Sequence, residues 1–214
     1  MDYRAQRTKM IDSQIRTTDV TSHSILTAFF NVEREKFVAD RLKSVAYIDN
    51  DLEIVPGRYL MAPSPLAKLL QLAAITKTDS VLEIGAGTGY ATAILAQLAG
   101  SVVAVESDQA LLETAKSNLQ DAANVTLVGS DLAAGYAGKA PYDAIFVNGA
   151  VDVLPTALFD QLKEGGRLVA VIGQGLSSGA RIFVREQGRH SERFAFNASV
   201  GRLPGFEKTP EFAF

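Results

Sequence analysis

Short apolar runs alternate with amphipathic stretches between residues 80 and 172. Five runs are rich in β-branched residues and almost continuously apolar, which is typical of parallel strands buried on both faces. These runs span residues 81–84, 102–105, 125–128, 144–147 and 168–172. Three intervening segments, residues 91–98, 109–119 and 156–162, carry apolar residues at helical spacing. The alternation predicts a doubly wound, mostly parallel α/β sheet with right-handed crossovers.

The pattern changes after Gly173. Residues 180–186 and 193–200 have the composition of strands, and the four residues 187–190 join them without an intervening helix. Such a pair predicts an antiparallel hairpin at the edge of the sheet. With this hairpin the predicted sheet has seven strands and a Rossmann-like order of elements.

The first 79 residues have a different character, helical and irregular. Helices are predicted over residues 3–16 and 22–31, and a third is predicted to begin with Ser64 as its N-cap and Pro65 at its first position. We expect a single domain over residues 1–214. In it, residues 1–79 form a helical cap and a candidate active-site loop, and residues 80–214 form the core.

Composition excludes several classes of site. The 214 residues are 47% hydrophobic and 21% charged, which suits one compact domain, and the chain has no cysteine for a disulfide or a thiolate ligand. His23 and His190 lie far apart, so no metal site is expected. The net charge of −3 and the lack of a Lys/Arg block argue against nucleic-acid binding. No apolar run approaches the ~20 residues of a membrane span, so a cytoplasmic protein is expected.

The candidate chemistry lies where the first two predicted strands end. Gly85, Gly87 and Gly89 alternate just after Glu83, and glycine permits positive φ and leaves no Cβ between the backbone and a ligand. Glu106 ends the second strand 21 residues beyond Gly85, where a carboxylate can accept both hydroxyls of a ribose. The spacing favours a nucleoside cofactor over an ordinary strand-to-helix turn.

Two residues discriminate between cofactors. A dinucleotide fingerprint has glycine at its sixth position, where this chain has Tyr90, and Glu83 would repel a pyrophosphate. S-adenosylmethionine carries a sulfonium and an ammonium group and has no phosphate, so acidic groups attract it. The sequence therefore favours S-adenosylmethionine over NAD, which stays as the alternative.

More segments than the glycine loop match one family. The matching segments are Arg34-Glu35-Lys36-Phe37-Val38, Ala46-Tyr47-Ile48-Asp49, Ala62-Pro63, Ala140-Pro141-Tyr142-Asp143-Ala144-Ile145 and Gly165-Gly166-Arg167-Leu168-Val169. Through these segments and the glycine loop, the chain resembles the protein-L-isoaspartate O-methyltransferases. The resemblance implies an S-adenosylmethionine-dependent O-methyltransferase that repairs damaged proteins by methylating isoaspartyl carboxylates, with an isoaspartyl protein or peptide as substrate.

The resemblance also implies roles for single residues. The three glycines would form the cofactor loop, with Glu83 near the methionine end and Glu106 at the ribose. Asp131 would contact the adenine amino group, beside the backbone of Ser130, although Leu132 stands where the family usually has glycine. Asn148 would close the fourth strand near the reacting groups.

The acceptor loop departs from the family. Tyr59 and Met61 stand where members have threonine and the serine whose hydroxyl contacts the reacting carboxylate, and a thioether is a weak acceptor. Tyr59, Met61 and Ser64 are therefore the candidate acceptor positions. A carboxylate needs no general base, because it is ionised near neutrality. A different acceptor, or a protein that binds the cofactor without transferring methyl groups, remains the alternative, and the sequence leaves the oligomeric state open.

Overall fold

The computed structural model describes residues 1–208, apart from the side chain of Leu176. Its α-helices are α1 (Tyr3–Met10), α2 (His23–Asn31), α3 (Pro63–Ala73), α4 (Tyr90–Leu98), α5 (Gln109–Asn118) and α6 (Thr156–Asp160). Its strands are β1 (Leu52–Val55), β2 (Arg58–Leu60), β3 (Ser80–Ile84), β4 (Ser101–Glu106), β5 (Val125–Gly129), β6 (Tyr142–Val151), β7 (Leu162–Ile172), β8 (Gly179–Glu186) and β9 (Arg189–Asn197).

The main sheet has seven strands in the order β5-β4-β3-β6-β7-β8-β9. The strands from β5 to β7 pair in parallel, and β8 and β9 pair antiparallel at one edge. The predicted fold class is confirmed. Because the carboxyl ends of parallel strands meet at one edge of a sheet, the residues that follow β3, β4, β5 and the middle of β6 are brought together there.

Each face of the sheet is covered by its own apolar cluster, because successive side chains of a strand point to opposite faces. Val81 of β3 packs in the cluster that includes α1 to α4, whereas Leu82 and Ile84 pack in the cluster that includes α6. The central strands β3, β4 and β6 are buried on both faces, which explains why their sequences are continuously apolar rather than alternating, whereas β5 is only partly buried.

The predicted first helix is α-helical only over its first half. After α1 the chain continues as a π-helical turn, Ile11–Ile15, and a 3₁₀ turn, Arg16–Thr18. The π turn buries Ile11 and Ile15 beside Met10, so the wider turn keeps three apolar side chains in the core. The second helix was predicted one residue too early, because Ser22 has an extended backbone.

Two predictions near the ends of elements were wrong. Helix α3 begins at Pro63, with Ala62 in the N-cap position, so Ser64 is not the N-cap. The backbone N–H of Ser64 is capped instead by Asp49, whose Oδ1 accepts at 3.0 Å. The hairpin between β8 and β9 turns through Gln187 and Gly188 alone, both at positive φ, so β9 begins earlier than predicted.

The predicted acceptor loop contains a small hairpin, β1 and β2, that was not predicted. Leu52 pairs with Leu60, and both side chains are buried. Strands of three or four residues carry too little periodicity to be identified from sequence alone. This hairpin lays the loop over the carboxyl edge of the main sheet.

Candidate functional site

The glycine loop adopts the backbone that its sequence predicts. Gly85, Gly87 and Gly89 have φ values of +87°, +57° and +94°, in the region that side chains other than glycine rarely occupy. The N–H groups of Gly85 and Ala86 donate to Val105 O at 2.9 and 3.0 Å. The loop is therefore tied to β4 next to Glu106. All residues from 85 to 89 are buried.

Glu83 is a fully buried carboxyl at the end of β3. Asn148 Nδ2 donates to Glu83 Oε1 and to Gly85 O, each at 3.1 Å, whereas Glu83 Oε2 has no hydrogen-bond partner. Burial raises the pKa of Glu83 to about 7, since the charged form loses its hydration. The structure thus brings Glu83, Asn148 and the first glycine of the loop together.

Glu106 is also fully buried, and an arginine lies against its carboxylate. Arg58 Nη1 and Nη2 donate to Oε1 and Oε2, both at 2.6 Å, in a bidentate ion pair. Gly87 N donates to Oε2 at 2.7 Å, and the backbone N–H groups of Ser107 and Asp108 donate to Oε1 at 2.9 Å. Five donors thus surround a group that has about four lone-pair sites.

Sequence reasoning missed Arg58. It is the first residue of β2, 48 positions before Glu106, and it is buried. The only local signal is that a cation follows the glycine at the tip of the hairpin. Nothing in the spacing identifies its partner, because the pairing depends on how the hairpin lies over the sheet.

Tyr90 is the first residue of α4, directly after the glycine loop, and its ring packs against residues of the cap. Its ring meets Phe29 and Phe37 edge to face, and the Arg34 guanidinium lies 4.7 Å from its centroid. Arg34 also donates to Ala46 O and to the backbone O of Met61, at 2.7 and 2.9 Å. The cap therefore holds the acceptor loop, and Arg34, part of a quoted family segment, is a second functional candidate that single-residue reasoning missed.

The predicted adenine-contacting residues lie at the end of β5. Ser130 N donates to Glu106 O at 3.2 Å, so the backbone of Ser130 adjoins the second strand end. Asp131 is exposed, and its Oδ1 accepts from Ala133 N at 3.0 Å. Leu132, which replaces the glycine of the family pattern, is buried among the residues of the second apolar cluster.

The three candidate acceptor residues have different surroundings. Met61 is buried in the core cluster, with 4% of its surface exposed. Tyr59 is exposed, and its ring packs against Gly201. The Ser64 hydroxyl donates to Asp49 Oδ2 at 2.5 Å or to Gln14 O at 3.0 Å. The hydroxyl of Ser64 is thus used in hydrogen bonds within the protein, and the Met61 side chain packs in the hydrophobic core.

A segment near the carboxyl terminus, residues 201–206, crosses the same edge of the sheet. Gly201 O accepts from Ala150 N, and Leu203 N donates to Ala150 O, at 2.8 and 2.9 Å. A Cβ placed on Gly85 would lie 2.7 Å from Leu203 Cδ2, and one placed on Gly149 would lie 2.7 Å from Leu203 Cγ. Leu203 therefore covers the beginning of the glycine loop.

The site has donors and acceptors suited to S-adenosylmethionine, but its present arrangement does not accommodate the cofactor. A ribose hydroxyl has to donate to Glu106, and Arg58 occupies both carboxylate oxygens. The buried glycine loop is covered by Leu203 and by Ile54, whose Cδ1 is 3.4 Å from the Cβ position of Gly87. The chemistry of the residues therefore fits the cofactor, whereas their arrangement does not.

Two further expectations concern metals and membranes. Among residues 1–208 there is no group of three or more His, Asp or Glu side chains that could hold a metal ion. Within the same residues, the helices are too short or too polar to cross a bilayer.

The chain matches known proteins over most of its length. The family model described as protein-L-isoaspartate(D-aspartate) O-methyltransferase matches residues 5–197. Curated relatives named protein-L-isoaspartate O-methyltransferase include one from Koribacter versatilis, 36% identical over 86% of this chain and 83% of the relative. Another, from Herpetosiphon aurantiacus, is 34% identical over 98% of this chain and 96% of the relative.

Solved structures agree with these matches. A protein-L-isoaspartate O-methyltransferase structure has a TM-score of 0.82 at 31% identity, covering 93% of this chain and 66% of that longer chain. A Plasmodium falciparum structure described as the same enzyme type, in complex with S-adenosyl-L-homocysteine, has a TM-score of 0.78 over 95% of this chain and 98% of its own, and at 17% identity it shows the same fold. The chain belongs to the protein-L-isoaspartate O-methyltransferase family of S-adenosylmethionine-dependent methyltransferases.

Proposed function

We propose that this protein methylates isoaspartyl carboxylates of damaged proteins, with S-adenosylmethionine as the methyl donor. The observation that carries the proposal is the pair of buried carboxyl groups, Glu83 and Glu106, on either side of a glycine loop at positive φ. Burying two carboxyl groups at strand ends costs free energy and is typical of functional sites. The family match over residues 5–197 supports the same assignment.

The proposed cofactor residues follow from their places in the sheet. The cofactor would lie directly against the main-chain atoms of Gly85, Gly87 and Gly89. Glu83 and Asn148 would lie at its methionine end. Glu106 would accept the ribose hydroxyls. Ser130 and Asp131 would lie at the adenine, since they follow the strand next to β4.

Methyl transfer to the acceptor carboxylate would depend on how that carboxylate is positioned, not on the transfer of a proton. An isoaspartyl carboxylate, with a pKa near ~4, is already a nucleophile at neutral pH, so the reaction needs no base. The chain has to align the acceptor carboxylate with the methyl group, and Tyr59 is the candidate acceptor residue whose side chain is exposed. The substrate would be an exposed isoaspartyl segment of another protein, and we expect the enzyme in the cytoplasm.

The test is a methyl-transfer assay with tritiated S-adenosylmethionine, an isoaspartyl peptide and its normal aspartyl counterpart. We expect base-labile methyl ester on the isoaspartyl peptide alone. Gly87→Val should abolish both transfer and calorimetric binding of S-adenosylhomocysteine, because the side chain would enter the cofactor position.

The matched control is Gly165→Val. Gly165 also has positive φ, +74°, but no atom lies within 4 Å of its Cβ position and it is remote from the glycine loop, so this variant carries similar backbone strain outside the site. Loss of binding in both variants would contradict the site. Binding by the wild type without transfer to either peptide would instead favour a cofactor-binding protein or another acceptor, in keeping with Met61 in the core.

A further inference from the structure

Arg58 occupies the position at Glu106 that a ribose is expected to take. We propose that Arg58 is an internal ligand of the cofactor site, so that S-adenosylmethionine binds by exchange: its ribose hydroxyls replace the guanidinium on Glu106. The inference rests on the proposed function of Glu106 and adds to it a self-occluded state of the site.

The geometry of the ion pair supports exchange rather than coexistence. Nη1 of Arg58 donates to Oε1 of Glu106 and Nη2 donates to Oε2, each at 2.6 Å, and three backbone N–H groups share the remaining lone pairs. A ribose hydroxyl therefore has no free acceptor at Glu106 until Arg58 leaves.

Burial makes the pair strong enough to compete with a ligand. Glu106 is fully buried and Arg58 is 7% exposed, so solvent screens their attraction little. Removing one partner of such a pair would leave an uncompensated charge in the interior. The incoming hydroxyls would supply replacement hydrogen bonds for Glu106, while the freed guanidinium would regain water.

The position of Arg58 allows its side chain to leave Glu106 without breaking a strand pair of the main sheet. It lies in a short two-stranded hairpin, β1 and β2, which is separate from the seven-stranded sheet. Gly57, at the tip of this hairpin, has a φ of +74° and no atom within 4 Å of its Cβ position, so the turn beside Arg58 is open on that side. A local movement of the hairpin can therefore withdraw the guanidinium.

The experiment compares S-adenosylhomocysteine binding by calorimetry in the wild type, Arg58→Gln and Arg58→Lys. Because a site that is open only part of the time binds with proportionally lower apparent affinity, Arg58→Gln should bind at least about tenfold more tightly than the wild type. Arg58→Lys should lie between them, because lysine keeps the charge but loses the bidentate contact.

The matched control is Arg167→Gln. Arg167 also pairs with a carboxylate, that of Asp79, at 2.6 Å. This pair lies at the amino ends of the parallel strands, away from the cofactor site, so the loss of Arg167 should leave the affinity unchanged. If Arg58→Gln does not fold, as judged by circular dichroism, the comparison of Arg58→Lys with the wild type carries the test.

A second measurement follows Arg58 itself by ¹⁵N NMR of the arginine side chains. Its paired NηH signals should be present in the protein alone and should be lost or exchange rapidly with water once S-adenosylhomocysteine is added. Wild-type affinity equal to that of Arg58→Gln, or Arg58 signals unchanged by the ligand, would overturn the exchange while leaving the proposed function intact. Absence of binding in every variant would overturn the proposed function and the exchange with it.

Discussion

At the scale of single residues, the site is notable for two buried carboxyl groups with different neighbours. Glu106 has a cation and three backbone donors, whereas Glu83 has one amide donor and an unpartnered oxygen. A buried carboxyl without a cation keeps its proton more readily. Glu83, which is buried without a cation, is therefore expected to hold its proton more readily than an exposed glutamate.

The raised pKa of Glu83 predicts a stability that depends on pH. Between pH 4.5 and about 7 the folded protein holds a proton on Glu83 that the unfolded chain releases, so stability falls as pH rises through this window and levels off above it. Glu83→Gln removes the titration. Its stability relative to the wild type should therefore increase by up to about 3 kcal/mol from pH 4.5 to 8.

Urea unfolding of both proteins at several pH values measures this difference. Glu186→Gln, at the exposed end of β8, is the control for loss of a surface carboxylate. A stability difference between Glu83→Gln and the wild type that stays constant from pH 4.5 to 8 would contradict the raised pKa.

Met61→Ser tests whether the missing hydroxyl limits repair. Since Met61 is packed in the core, the change should lower the free energy of unfolding by about 2 to 4 kcal/mol. If the hydroxyl positions the substrate carboxylate, isoaspartyl turnover should still rise roughly tenfold to a hundredfold, alone or with Tyr59→Thr.

Met10→Ser is the matched control for this comparison. Met10 is 1% exposed in the same cluster, so its loss should destabilise without a gain in turnover. Robust wild-type turnover with no gain in Met61→Ser would show that another group, such as Tyr59, positions the acceptor.

At the scale of elements, the start of α3 depends on a residue outside the helix. Asp49 Oδ1 accepts from Ser64 N at 3.0 Å, and its Oδ2 accepts from the Ser64 hydroxyl. The N-cap position itself holds Ala62, which has no side-chain acceptor. A carboxylate near the helix N-terminus also interacts favourably with the helix dipole.

Asp49→Ala should therefore destabilise the protein by about 1 to 2 kcal/mol, as the loss of a capping side chain does. Ser64→Ala should cost less, because the backbone N–H keeps its partner. In a double-mutant cycle measured by urea unfolding, the two changes should be non-additive, since they share one contact. Additive losses would show that the contact between the Ser64 hydroxyl and Asp49 contributes no stability, and a loss in Asp49→Ala no larger than that in Ser64→Ala would contradict the cap on the backbone N–H.

At the scale of the whole molecule, the sheet, the cap and the segment over residues 201–206 meet at one edge and bury the glycine loop. Asp51 links two of them, because its Oδ1 accepts from Ala62 N and its Oδ2 from Gly201 N, at 2.7 and 2.5 Å. Ligand binding at this edge should therefore be reported by the thermal stability of the entire domain.

S-adenosylhomocysteine should raise the melting temperature, whereas NAD and NADP at equal concentration should not, because Glu83 opposes a pyrophosphate. The shift should be larger in Arg58→Gln than in the wild type, when each is compared with its own ligand-free protein. A larger shift with NAD would contradict the methyltransferase assignment of the site.

The sequence by itself determined the sheet, its edge hairpin and the positive φ of the glycine loop. Each of these depends on local preferences: apolar periodicity, β-branched composition and the freedom of glycine. It also predicted that Glu83 and Glu106 lie where two neighbouring parallel strands end, and the family resemblance predicted Asn148 at the end of the fourth strand.

Only the tertiary structure decided what surrounds those groups. Arg58 pairs with Glu106, 48 positions away, and Arg34 holds the backbone of Met61, 27 positions away. Asp49 caps α3 at Ser64, 15 positions away. A guanidinium, a thioether or a carboxylate can take many partners, and the chain between them sets no distance. The partner is chosen by how separate elements pack, and local sequence patterns carry no information about that packing.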